Sequence, residues 1–297
     1  MSSVTIQGAS PWRLILSLCA LVVCSYMATS MPINYTVLMM YSLGFTHYIL
    51  AIHYSKRGLQ KAWSSGIAKW PLLLLLPLSF VPLFVDGTAI PGLVLYFGFH
   101  HAMSEVYFDS KQHSRRLRNA HYIAVTGSYF AITGHHLKFL PWLDELGWVS
   151  MLVATPIFFI VNQKHDQHDL RSLISTCPWI VLGPLVAILG EFVFLDWRFL
   201  INWHFLFWLS LPYLRKGMFT LKQKKTYWIQ NVLLSAIIFT LFSVGTFYPS
   251  VLGDIGSLVL IHWLGQLFLF WSYFHISWSF LISGGNPQWL KKIFQVG

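Results

Sequence analysis

Long apolar runs alternate along this chain with short polar connections, and the runs have the length of a lipid bilayer. Windows of about 20 mostly apolar residues fall at 11–29, 31–54, 68–86, 88–109, 119–139, 145–163, 171–195, 197–214, 227–247 and 252–284. They predict an all-α fold, a polytopic membrane bundle with about ten transmembrane spans. No linker rich in Pro, Gly or Ser and no repeat interrupts the pattern, so residues 1–297 are expected to form a single transmembrane domain. The first run is long enough to span and carries no small-residue cleavage site, which argues against a removed leader.

The polar connections alternate in sign. Basic loops follow the second, fourth and eighth windows, with Lys56, Arg57, Lys61 and Lys69, then Lys111, Arg115, Arg116 and Arg118, then Arg215, Lys216, Lys222, Lys224 and Lys225. The opposite loops are short and acidic, with Asp86, Asp144, Glu145, Asp196 and Asp254. Of the 20 Lys and Arg, only Lys138 and Arg198 fall on the acidic side. By the positive-inside rule both termini are cytoplasmic. The net charge of +10 is therefore topological, and nucleic acid is not an expected partner.

Composition agrees. The chain is 56% hydrophobic and 10% charged, against about 25% charged in soluble domains. Cys19, Cys24 and Cys177 all lie in apolar runs without metal-motif spacing and read as small core residues.

Against that background the histidines stand out. His47, His101, His121, His204 and His275 lie inside or at the edge of apolar runs, where an ionisable ring is costly and usually functional. The predicted orientation puts all five between the midplane and the cytoplasmic face. Glu105 follows His101 by one helical turn and shares its face. A carboxylate at that depth needs a cation, a metal or a proton, so Glu105 is expected to ligate directly or to orient a ligating histidine. His100 presents a different face and is an alternative ligand. His113, His165 and His168 read as solvated loop residues, and His165-Asp166-Gln167-His168 as a fragment of a desaturase-type box. Phe97, Phe99, Trp203, Phe207, Trp271 and Phe274 flank the histidines and are expected to line an apolar substrate slot.

At these residues the chain resembles the Brp/Blh family of membrane proteins, which includes β-carotene 15,15'-dioxygenases. The family's L-P-H-G-A-L-D is matched by Phe45-Thr46-His47-Tyr48-Ile49-Leu50-Ala51, and its H-F-G-M-A-D by His100-His101-Ala102-Met103-Ser104-Glu105. Its H-x-x-x-H is matched at His121-Tyr122-Ile123-Ala124-Val125. Its H-S-R-R-H-F is matched at Leu200-Ile201-Asn202-Trp203-His204-Phe205. Its P-H-M-I-L-I-D is matched at Phe274-His275-Ile276-Ser277-Trp278-Ser279-Phe280. Ala51, Val125 and Leu200 depart from the family pattern, and Leu200 stands where a histidine of the family's iron site would be. The resemblance implies non-haem Fe(II) held by His47, His101 or His100, and His204, completed by His275, His121 or Glu105. It also implies O₂ and an apolar membrane-soluble polyene as substrates, and a bacterial inner membrane as location. The same histidines fit other classes: an inactive or divergent lipid-binding protein, a b-type haem protein, or a transporter of another transition metal.

Overall fold

The computed structural model describes residues 11–64, 79–80, 89–107, 113–134, 141–192, 197–209, 212, 219–247 and 254–282. The described residues form α1 (Pro11–Thr29), α2 (Ile33–Ser64), α3 (Ala89–Tyr107), α4 (Arg115–Gly134), α5 (Trp142–Val161), α6 (Leu170–Thr176), α7 (Trp179–Gly190), α8 (Trp197–Leu209), α9 (Leu221–Phe247) and α10 (Asp254–Ile282). The all-α expectation holds across them. By length and apolarity, three segments among the described residues suffice to cross a membrane: Ile33–Lys56, Pro141–Asp166 and Leu221–Phe247. The window at 68–86 lies outside the described residues except for Ser79 and Phe80.

The seventh window differs most from expectation. It holds two helices, α6 and α7, that are apolar enough together to span but are bent by 69° at a break. Cys177 and Pro178 break it. Proline has no N–H for a helical ladder and pushes its predecessor out of the α region, and Cys177 sits at φ −122°, ψ 57°. Two other helices begin earlier than the apolar runs because polar residues cap them. Thr220 and Gln223 form a reciprocal capping box before α9: the Thr220 amide donates to Gln223 Oε1 at 2.8 Å, and the Gln223 amide to Thr220 Oγ1 at 3.3 Å. Ser114 Oγ accepts the Leu117 amide at the start of α4.

The chain divides into two compact units. Unit 1 comprises residues 1–31, 97–224 and 285–287; unit 2 comprises 32–96, 225–284 and 288–297. In unit 1, α4 is the central helix, buried from Tyr122 to Gly134 except at Ile123. Glycine allows α5 to lie against it: a Cβ at Gly127 would sit 2.6 Å from the Met151 amide nitrogen, and one at Gly147 would collide with the Ala131 backbone. Such close helix approach suits a bilayer, where packing rather than the hydrophobic effect drives helix association. The far side of α5 exposes Trp142, Leu146, Val149, Val153, Ile157 and Ile160, an apolar stripe at helical spacing that calls for lipid.

Unit 2 packs differently. Its α2 and α10 join through rings and hydroxyls. Tyr41 and Phe45 meet Phe268 with centroids 5.0 and 5.8 Å apart, and Trp278 Nε1 donates to Ser55 Oγ at 2.8 Å. Ser235 Oγ on α9 donates to Thr46 Oγ1 on α2 at 3.1 Å. The outer face of α9 exposes Ile229, Val232, Leu233, Ile237 and Leu241.

Candidate metal centre

In unit 2, His47 on α2 and His275 on α10 are both buried, with their Nε2 atoms 3.0 Å apart and their rings steeply inclined at 74°. Tyr48 lies against His275, ring centroids 5.3 Å apart. The Ser272 hydroxyl donates to the Phe268 carbonyl at 2.7 Å, so its single hydrogen is committed. The 2.6 Å bond to Tyr48 must then be donated by the phenol. One helical turn from His275, Ser272 thus fixes the ring that packs on that histidine.

In unit 1, His100 on α3 and His204 on α8 are buried, with Nε2 atoms 3.3 Å apart. Phe97 closes on His204 at 5.1 Å. His101 takes another place. Its ring lies between Trp179 at 5.0 Å, Tyr129 at 5.9 Å and Phe97 at 6.4 Å, and among the described residues neither ring nitrogen has a hydrogen-bond partner. The geometry therefore pairs His100, not His101, with His204.

Both nitrogen–nitrogen separations fit a shared ion. Two imidazole nitrogens about 2.1 Å from one metal, at angles between octahedral and tetrahedral, lie roughly 3.0–3.4 Å apart. They fit trans ligation across a haem poorly, since that would hold the two nitrogens roughly 4 Å apart. Among the described residues, His47 and His275 in unit 2 and His100 and His204 in unit 1 are buried histidines that each offer a ring nitrogen to a metal. All four are neutral-nitrogen donors without thiolate, a set that suits iron, zinc or copper.

Glu105 is engaged elsewhere. Its Oε2 accepts from Arg13 Nη2 at 2.8 Å, with both side chains about 2% exposed. Arg13 also donates to the Glu105 carbonyl at 3.1 Å and lies over Phe207 at 5.7 Å. The cation that the carboxylate was expected to need is thus an arginine from α1, and Phe207 supports that arginine. The sequence signal was present: Arg13 opens an apolar run. His121 is fully buried with Phe158 against it at 5.6 Å. Trp203 packs on Trp179 at 4.8 Å, and Trp271 meets Phe274 edge-on at 5.6 Å.

The loop histidines require a correction. His113 and His168 are buried, not solvated, with rings 4.9 Å apart. A π-helical turn over Asn162–Asp166 and a left-handed Gln167 fold the segment back. Asn162 clamps His168, donating to its carbonyl at 2.9 Å and accepting its amide at 3.1 Å. Asp166 accepts from the amide and hydroxyl of Ser114, each at 2.7 Å. The desaturase-like string therefore ties the end of α5 to the start of α4. His165 is exposed, beside Arg116 at 3.2 Å. His135 and His136 lie outside the described residues.

The chain matches no protein-family model, and comparison with curated proteins and with solved structures likewise finds no match.

Proposed function

We propose that the protein is a membrane-embedded non-haem iron oxygenase that cleaves a carotenoid or related apolar polyene, β-carotene to retinal in the simplest case. The observation that carries this reading is the pair of close Nε2···Nε2 contacts, His47 with His275 at 3.0 Å and His100 with His204 at 3.3 Å. Each pair offers two neutral imidazoles at a separation that fits one ion. Neutral imidazoles that leave coordination positions open are what an Fe(II) oxygenase requires.

The bound ion would supply the site of O₂ activation. The protein's own part is to hold the ligands, align one double bond and exclude water. The stoichiometry needs no external reductant: one C=C bond breaks, two C=O bonds form, and both atoms of O₂ end in two aldehydes. No catalytic acid or base is demanded, consistent with Glu105 being bound to Arg13. The reading includes a ten-span bundle with cytoplasmic termini, which the alternation of loop charges supports, and a bacterial inner membrane as its location.

Metal analysis and an absorption spectrum of purified protein test the centre: iron without a Soret band is expected. Expression in β-carotene-producing cells tests the chemistry. Loss of orange colour with retinal formation, abolished by His204→Ala, supports cleavage. Persistent colour with iron bound refutes a β-carotene substrate, and an iron-free protein refutes the oxygenase.

A further inference from the structure

A pocket of about 230 Å³ opens within unit 2 among α2, α9 and α10, lined by Asn34, Val37, Tyr41, Phe242, Thr246 and Leu264. A wall of rings connects it to the histidine pair of the same unit. Tyr41 meets Phe242 at 5.2 Å and Phe268 at 5.0 Å, Phe268 meets Tyr48 at 5.8 Å, and Tyr48 meets His275 at 5.3 Å. At about 1.5 Å rise per residue, Tyr41 lies roughly 9 Å and Asn34 roughly 20 Å from His47 along the α2 axis. That span is comparable to half the length of a carotenoid. A polyene with its central double bond at His47 and His275 would reach the pocket with its end ring.

The lining is apolar on its walls but carries an amide at Asn34 and hydroxyls at Tyr41 and Thr246. A plain hydrocarbon ring has no use for these groups. A few polar groups in a mostly apolar pocket are the usual means of fixing orientation. We infer that this pocket binds the oxygen-bearing end ring of a long conjugated polyene. The inference rests on the cleavage reading above and narrows its substrate from a plain carotene to a hydroxylated or ketolated one. A lipid acyl chain is the competing occupant and would show no preference for an oxygenated ring.

The test compares β-carotene with its 3,3'-dihydroxy counterpart on purified full-length protein in detergent, reading the dissociation constant from polyene absorbance. One added hydrogen bond predicts about fivefold tighter binding of the dihydroxy compound. Asn34→Leu and Thr246→Val together should erase that preference, the two compounds then binding alike. Both positions are at least partly exposed, and unchanged metal content and melting temperature report a folded protein. Val37→Trp, which fills the pocket, should weaken both polyenes. Equal affinity of the wild type for the two compounds, or a preference that survives the double substitution, overturns this inference alone. Retention of neither polyene overturns it together with the cleavage reading.

Discussion

The two histidine pairs are built alike and supported differently. In unit 2 the rings of His47 and His275 rest on a hydroxyl-anchored tyrosine, with Tyr48 held by Ser272. In unit 1, His100 and His204 lie among packed rings, and the same helix α3 ends in a buried ion pair with α1, Glu105 to Arg13. The first arrangement relies on modest neutral hydrogen bonds that are individually replaceable. The second contains a charge whose desolvation is tolerable only while its partner is present. The contrast predicts that unit 1 fails abruptly and unit 2 gradually.

The sharpest way to break the comparison is at Arg13. Arg13→Leu leaves a buried carboxylate without its cation, and removing one partner of such a pair costs about 3–5 kcal/mol. The expected result is a large drop in thermal stability in detergent, mostly recovered in Arg13→Leu/Glu105→Leu. If the single variant were as stable as the double, the pair would not be the anchor of α1 on α3. No loss of a neutral hydrogen bond in unit 2 should approach this effect.

The second test removes one imidazole from each pair. His47→Ala and His204→Ala should each lower the iron content of the purified protein, read by elemental analysis. Iron retained in full in either variant would mean that its pair holds no metal.

What the sequence could reveal follows the range of the interactions. The apolar windows located α2, α5, α9 and α10 because length and hydrophobicity are local properties. The break at Cys177-Pro178 was written locally too, but proline is common in membrane helices and only the packed structure turns it into a 69° bend. The demand for a cation at Glu105 was legible from its depth. Its source was not, because Arg13 lies 92 residues away and reaches it only after α1 folds. His100 and His101 are equivalent in composition and differ by about 100° around a helix, so only the fold could select between them. His113 and His168 read as solvated in the sequence because a polar connection ordinarily faces water. The Asn162 clamp and the Ser114–Asp166 bonds that bury them join two separate stretches of chain.

A smaller effect sharpens the packing half of the comparison. Gly127→Ala introduces a methyl group 2.6 Å from the Met151 nitrogen, and overpacking of this kind costs about 1–3 kcal/mol. It should weaken the α4–α5 contact and lower the unfolding temperature, measurable as an earlier thermal transition in detergent. Stability equal to wild type would show that α5 can shift outward into lipid without loss.

The gentlest test concerns the tyrosine of unit 2. Tyr48→Phe keeps the ring against His275 and removes the hydrogen bond to Ser272. Because the Ser272 hydroxyl still donates to the Phe268 carbonyl, no buried donor is stranded; what is lost is one neutral bond worth about 1 kcal/mol. The expected outcome is a small fall in melting temperature with iron content retained, in contrast to the collapse expected at Arg13. Loss of iron in Tyr48→Phe would show that the phenol controls the orientation of His275, and that unit 2 is as intolerant of polar loss as unit 1.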